Sequence, residues 1–577
     1  MSSSFSTGPR SMSFFWTVVL LVAVLALSWR FLGSYMEAVY DGRVRWMAWL
    51  ERPIYRSLRT HPDEEQHWTR YGSSLIVFSG ISLLLAYAIL RLQGHLGVNP
   101  QHLPGVSPAL SFDTAVSFVS NTSWQSYAGE STLSYLSQTG AIMVAQFTSA
   151  AVGMAVAIAL IRGLSRSGSD TIGNFWVDLV RGCLYVLLPI AGVTALIFAG
   201  QGAVDTFAGP ISIHDALNGV TQILPRGPSA SMEAIKQLSS DGGGMFAASG
   251  AHPFENPTGL TNFVSIVLMM MIPVAFTYTF GRMVRSLRQG VTILIVMGTL
   301  FAGWLTFTAA YEHQGNPAVA AAGVHLAGPN MEGKEVRFGN TSSVLYDIAG
   351  TQTSSGATNS SLDSFTPVGG FGALSGMMLG EVSPGGVGSG LFSILAFAIM
   401  TVFIAGLMVG RTPEYLGKQI RAREMKLSGL AVLVMPITVL ILAAIAVSVH
   451  AGRTGPLNSG SHGFTEILYT FTSEVNTNGS AFGGLGANSA FYNVTGSIAM
   501  LVGRYGAIIP TLALAGVLAR SPALAGSRGK MRTDSPMFGG LLVGVILIVG
   551  GLVFCRPCPS DRLSSSCNTA SSSEWVK

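Results

Sequence analysis

Charge is what this chain of 577 residues has least of. Asp, Glu, Lys and Arg together supply 11% of it, less than half of the roughly 25% found in soluble globular domains. That shortage excludes a soluble multidomain enzyme, and a mean hydropathy of +0.48 excludes a disordered chain. Cysteine is scarce too, and four residues offer no disulfide framework. Hydrolytic motifs are missing as well. There is no G-x-x-x-x-G-K-[ST] phosphate loop, no Asp in a D-K-T-G-T phosphorylation context and no H-E-x-x-H. No G-x-S-x-G sits in a strand-to-helix setting. An intramembrane hydrolase is therefore poorly supported, and no catalytic residue is expected in this chain. The net charge of +5 does not point to nucleic acid, because the basic residues lie between apolar stretches.

Glycine, at 69 residues, and long apolar runs are what the chain has in excess. An α-helix crosses the hydrocarbon core with about 20 apolar residues. Ten stretches qualify, at 14–33, 71–93, 138–162, 176–200, 261–281, 290–311, 390–410, 428–450, 494–519 and 537–555. The first is read as a retained helix, because its apolar core outlasts a secretory signal and no A-x-A-like cleavage site follows. The polar loops alternate in charge. One set carries Arg43, Arg45, Arg52, Arg56, Arg59 and Arg70, then Arg166, Arg285 and Arg288, then Arg411, Lys418, Arg421, Arg423 and Lys426, and finally Arg520, Arg528, Lys530 and Arg532. The other set is longer but holds only Arg226, Lys236, Lys334, Arg337 and Arg453. The positive-inside rule puts the first set in the cytoplasm and the amino terminus outside. Asp178 and Arg181, three apart on one helical face, are expected to form a structural ion pair. The fold class is all-α: a polytopic protein of the lipid bilayer with ten transmembrane helices.

Four external loops are long, at about 94–137, 201–260, 312–389 and 451–493. Each holds a moderately apolar stretch followed by a small polar run. The runs are Ser120-Asn121-Thr122-Ser123-Trp124-Gln125, Ser239-Ser240-Asp241-Gly242-Gly243-Gly244, Thr353-Ser354-Ser355-Gly356-Ala357 and Asn476-Thr477-Asn478-Gly479-Ser480. Span, short re-entrant helix, polar run and span thus recur four times, an internal repeat. Irregular backbone at membrane depth is tolerated only where protein buries it or where it lines a watery cavity. A dehydrated alkali cation needs oxygens in place of its water, and rings of backbone carbonyls supply them. Gly lets carbonyls turn toward an axis, because it reaches φ > 0 without steric cost. Four copies predict a pseudo-fourfold ring around one pore. Each short helix would then aim the negative end of its dipole at the ion.

At these residues the sequence resembles the family of potassium-translocating A subunits of bacterial Kdp ATPases. Besides Ser120–Gln125, the matching segments are Gly173-Asn174-Phe175-Trp176-Val177-Asp178, His252-Pro253-Phe254-Glu255-Asn256-Pro257-Thr258, Asp363-Ser364-Phe365-Thr366-Pro367, Gly410-Arg411-Thr412-Pro413-Glu414-Tyr415-Leu416-Gly417 and Asn478-Gly479-Ser480-Ala481-Phe482. They spread from residue 14 to about 554. The resemblance implies a member of the superfamily of K+ transporters, with four pseudo-symmetric helix–pore loop–helix repeats and an extra N-terminal helix. Its units would be 1–70 (first helix and basic loop), repeats at 71–165, 166–288, 289–427 and 428–520, a last helix in 521–555, and a Ser-rich tail, 556–577. The implied function is the potassium-binding and translocating subunit of an ATP-driven, high-affinity uptake complex. K+ would be the bound substrate, with no cofactor in this chain. A partner P-type ATPase subunit (KdpB-like) would use the ATP, beside small KdpC-like and KdpF-like membrane subunits. The location would be the bacterial cytoplasmic (inner) membrane, with the amino terminus and pore loops on the external side. A Trk- or Ktr-type gradient-driven transporter is the alternative. The Arg411–Gly417 stretch and the Gly242-Gly243-Gly244 run favour the ATPase.

The resemblance sets Asn121 and Thr122 level with Asp241 and Gly242, Ser355 and Gly356, and Asn478 and Gly479. Ser123, Gly243, Ser354 and Asn476 complete the expected filter, Gln125 lies beside it, and Gly242 is expected at φ > 0. Asp241 stands where the family usually has Asn, adding charge to the filter rim, and Ser355 where Cys is common. Glu381, Arg411 and Arg504 match positions near the inner cavity or tunnel, where a charge is expensive and marks function. Beyond Phe554 the chain departs from the family. Cys555, Cys558 and Cys567 lack a fourth ligand for zinc.

Overall fold

The computed structural model describes residues 9–214, 219–324, 328–523 and 531–554. Cys555 and the Ser-rich tail with Cys558 and Cys567 lie outside them, as do Arg528 and Lys530. Each of the ten apolar stretches forms a helix. First comes α1 (Pro9–Tyr40). Next are α2 (Trp68–Leu92), a short α3 (Pro108–Val119) and α4 (Ser137–Ser165). The same order returns as α5 (Phe175–Gly200), α6 (Ser229–Leu238) and α7 (Gly259–Met283). The third set is α8 (Leu287–Glu312), α9 (Gly339–Gln352), α10 (Pro367–Met378) and α11 (Ser389–Met408). The fourth is α12 (Ala422–Ser448), α13 (Gly460–Val475) and α14 (Ala490–Arg520), and α15 (Pro536–Phe554) ends the described chain. Among the described residues, nine helices are long and apolar enough to cross a membrane, and α15 is a shorter apolar helix.

Burial sorts these helices into two rings. In the most apolar stretch of α4, α7, α11 and α14, 83, 72, 72 and 56% of the residues are buried. In α2, α5, α8 and α12 the shares are 22, 39, 33 and 28%. The second helix of every set is therefore inner. The first is outer and turns side chains such as Leu84, Leu196 and Ile295 outward. Small residues let inner helices approach, as is usual between membrane helices. A Cβ at Gly163 of α4 would lie only 2.5 Å from the Ala515 carbonyl oxygen of α14. The extra helix α1 clips onto α7, where Trp29 Nε1 donates to Thr277 Oγ1 at 2.9 Å and Thr279 Oγ1 to the Gly33 carbonyl at 3.0 Å.

Three features depart from the sequence reading. Residues 312–389 are not one loop, since α9 and α10 lie within them. At 12 residues α10 is too short to read as a span, although Thr366 caps it and Pro367 opens it. The all-α class admits two small hairpins, Ile211–His214 with Thr221–Leu224 and Glu414–Tyr415 with Lys418–Gln419. Finally, Asp178 and Arg181 do not pair with each other. Asp178 on α5 takes a bidentate pair from Arg162 on α4, at 2.6 and 2.9 Å, and Arg181 turns to Glu51 at 3.3 Å. A fork that fills both carboxylate oxygens outweighs a neighbour one turn away. Asp178→Asn leaves the nearly sealed Arg162 charge without its partner, which should cost about 3–5 kcal/mol. Thermal denaturation in detergent checks this, and an unchanged midpoint would contradict it.

Candidate functional site

The short helices α3, α6, α9 and α13 each run directly into a polar run whose residues are mostly buried. Left-handed backbone recurs along them. Asn121 (φ 62°), Ser240 (47°) and Thr477 (61°) occupy one step, and two residues later come Ser123 (58°), Gly356 (62°) and Gly479 (83°). This pattern sets Ser123 level with Gly242, Gly356 and Gly479, and Thr122 level with Asp241, Ser355 and Asn478. The first run is thus one residue out of the expected register. Gly242 is not left-handed either, because that turn falls on Gly243 (φ 73°).

Gly242 is needed for another reason. Its missing Cβ would overlap the Ser355 carbonyl oxygen of the third run. In the same way Gly356 faces the Asn478 carbonyl, and Gly479 faces the Thr122 carbonyl. Asn121 joins the remaining pair, donating from Nδ2 to the Ser240 carbonyl at 3.2 Å. The runs therefore abut in the closed order one, two, three, four, one. Bare backbone meets bare backbone at three of the four seams, so carbonyl oxygens are the main polar groups available there. The C-terminal dipole ends of four short helices converge on the same ring, which suits a cation.

Side chains brace the ring from outside. Gln146 Nε2 of α4 donates to the Gly242 carbonyl at 3.0 Å, and Lys236 Nζ to the Gly243 carbonyl at 3.0 Å. Lys236 is fully buried and paired with Glu233 at 2.5 Å. Gln125 Nε2 donates to the Gly244 carbonyl and to Tyr127 Oη, both at 3.1 Å. Asp241 is not on the rim. It is buried in the wall, where its carboxylate accepts from Ser123 Oγ and from Ser149 Oγ of α4. The bracing by Gln146 and Lys236 escaped the sequence reading. A Lys in an external loop with little positive charge was its only trace.

Beneath the ring, Glu381 sits in the link between α10 and α11 with φ 50°. Its carboxylate accepts from Ser354 Oγ and from Asn478 Nδ2, the latter at 2.8 Å. It lines a cavity of about 80 Å³ with Asn476, Thr477, Ser389 and Arg504, room for several waters at roughly 10–15 Å³ each. Asn476 turns its Nδ2 back to the Thr472 carbonyl at 2.8 Å. Arg504 of α14 is buried and donates to the Ser149 carbonyl at 2.9 Å, and its charge acts on Asp241 and Glu381 at longer range. Arg411 is elsewhere, exposed past the end of α11 and not on the cavity wall. The hairpin after it plants Lys418 at the C-terminus of α14, donating to the Leu518 and Ser521 carbonyls at 2.9 and 2.8 Å. Burial lowers the pKa of that ammonium.

A family model described as potassium-transporting ATPase A subunit, KdpA, matches residues 18–558. Among similar proteins, the potassium-transporting ATPase potassium-binding subunit of Sorangium cellulosum is 51% identical, over 91% of this chain and 93% of that one. Its counterpart in Methylococcus capsulatus is 48% identical, with the same shares covered. Among solved structures, the potassium transporter TrkH from Vibrio parahaemolyticus superposes with a TM-score of 0.51 at 13% identity, covering 86% of this chain and 96% of that chain. That likeness concerns the fold alone. With a family match over nearly its whole length and close relatives sharing half its residues, this chain belongs to the family of potassium-transporting ATPase A subunits.

Proposed function

We propose that the chain is the potassium-binding and translocating subunit of an ATP-driven uptake complex. The observation that carries this reading is the closed ring of four runs, with backbone carbonyls at its seams and four helix C-termini aimed at it. In this reading K+ sheds water at the ring and takes oxygens from the Thr122, Asp241, Ser355 and Asn478 layer and from the Ser123, Gly242, Gly356 and Gly479 layer. It then enters the cavity beside Glu381 and Arg504. Asp241 and Ser355 shape the wall and leave every carbonyl in place. With no ATP-hydrolysing motif in the chain, the energy comes from a partner P-type ATPase subunit, accompanied by small membrane subunits. A Trk- or Ktr-type transporter is the alternative, and TrkH shares the fold, but the relatives near half identity are potassium-transporting ATPase potassium-binding subunits, which favours the ATPase.

Purification from native membranes tests the assignment. Co-purification of a P-type ATPase subunit, with potassium-stimulated ATP hydrolysis, is expected. A ring of soluble nucleotide-binding subunits in its place would overturn it. The loop from Arg43 to Arg70 is assigned to the cytoplasm, because it carries the basic excess. Impermeant thiol reagents on intact cells should then label a Cys placed at Gln101 and spare one placed at Arg56. The reverse pattern refutes the orientation.

A further inference from the structure

The second run differs from the others in its glycines. It has three in succession, Gly242, Gly243 and Gly244, whereas the third and fourth runs carry one each and the first has none. Glycine restricts its own backbone least, so this quarter of the ring must be held from outside. Each of the three meets a different demand. Gly242 clears the Ser355 carbonyl, and Gly243 takes the left-handed turn. Gly244 faces a buried ionic cluster, where a Cβ would lie 2.8 Å from Glu255 Oε1 and 3.1 Å from Lys236 Nζ.

Two charged side chains reach this run from opposite sides. Lys236, in the last turn of α6, donates to the Gly243 carbonyl at 3.0 Å and to the Ser249 carbonyl at 2.8 Å, and it meets Glu233 at 2.5 Å. Those three contacts occupy the three N–H groups of its ammonium. Glu255 comes from the His252–Thr258 stretch. Its Oε1 accepts from the Met245 N–H at 2.8 Å, and its Oε2 lies 3.4 Å from Lys236 Nζ. Lys236, Glu233 and Glu255 are each at most 1% exposed. One carboxylate thus fixes the residue that follows the glycines and steadies the ammonium that holds their carbonyl.

Glu255 is itself held in place. Its neighbour Asn256 donates from Nδ2 to the Gly250 carbonyl at 3.0 Å and accepts from Thr261 Oγ1 of α7 at 2.7 Å. The His252 ring stacks on Phe246 with 4.0 Å between centroids. The loop that follows the glycines is therefore closed on itself and tied to α7. We propose that Glu255 is a positioning residue of the ring: acting through Met245 and Lys236, its carboxylate holds the peptide planes of Gly242, Gly243 and Gly244 and so sets the ranking of ions without touching one. This rests on the reading of the four runs as the potassium site. Without that carboxylate the glycines keep their freedom until an ion binds, and ordering them then lowers affinity. A looser cage also discriminates less, because its size and field are no longer fixed.

Titrations of ATP hydrolysis by the purified complex with potassium, rubidium and sodium test this, beside thermal denaturation. Glu255→Gln keeps the shape and an oxygen for the Met245 N–H but loses the charge. It should weaken potassium roughly tenfold, the equivalent of one hydrogen bond to a charged group, and narrow its lead over rubidium and sodium. Glu255→Asp keeps the charge but is too short to meet both partners. It should fold even where the glutamine variant does not, and shift the ion ranking in the same direction. Asp178→Asn separates positioning from mere loss of stability, since it too strips a buried cation of its partner, in the first turn of α5 and away from the runs. It should lower the denaturation midpoint and leave the ranking alone. Folded Glu255 variants that keep the parent's ranking overturn the proposal, as does an Asp178→Asn variant that shifts the ranking equally. A parent with no preference for potassium would instead refute the transport reading, so the two failures are told apart.

Discussion

Potassium affinity should fall about 5–150-fold when Gly242 is replaced by alanine. The new methyl group would overlap the Ser355 carbonyl oxygen of the neighbouring run. That oxygen belongs to the proposed cage, so the clash can be relieved only by moving a ligand. Overpacking of this kind costs about 1–3 kcal/mol, which converts to the stated range at tenfold per 1.4 kcal/mol. Discrimination against sodium and rubidium should relax as well, because a displaced carbonyl no longer sets the ring's size and field. Gly298 on the outer face of α8 has nothing within 4 Å of its Cβ direction, so Gly298→Ala serves as a control and should leave both properties alone. If Gly242→Ala keeps the parent's apparent affinity and ion ranking, the second run is not part of the cage.

Arg504→Gln should uncouple uptake from ATP hydrolysis. The guanidinium is buried at the cavity wall and stays charged under working conditions. At an effective dielectric near 20, two like charges about 8 Å apart repel by roughly 2 kcal/mol, a barrier of about 30-fold. On the proposed reading, an ion leaving the ring straight inward would meet that barrier and be diverted toward the partner ATPase subunit. Glutamine can still donate a hydrogen bond to the Ser149 carbonyl but carries no charge. Potassium-stimulated ATPase activity should therefore persist while uptake per ATP falls. If both rates fall in proportion, or neither changes, Arg504 is a structural anchor and the barrier lies elsewhere.

The sequence shows some parts of this architecture more readily than others. Ten spans could be read because each carries a sustained apolar run, and the four polar runs stood out because small polar residues interrupt apolar chain at corresponding places. The seams between the runs were not visible. Gly242 faces Ser355 across more than a hundred residues of chain, so its need for a missing Cβ is a tertiary fact, and local reasoning assigned it to backbone φ instead. The register of the first run failed for a related reason. Ser123 takes a left-handed conformation for which glycine is the usual signal. Asp178 misled because its true partner, Arg162, lies on another helix. The helix α10 was lost because its 12 residues are too few to read as a span.

The central claim is that the four runs together form the site where potassium sheds its water. Locating rubidium by anomalous scattering in crystals of the purified complex tests it most directly. The account predicts a peak on the axis of the ring, between the layer of Thr122, Asp241, Ser355 and Asn478 and the layer of Ser123, Gly242, Gly356 and Gly479, lost in Gly242→Ala. Rubidium bound elsewhere in the chain, with no peak inside the ring, would contradict it.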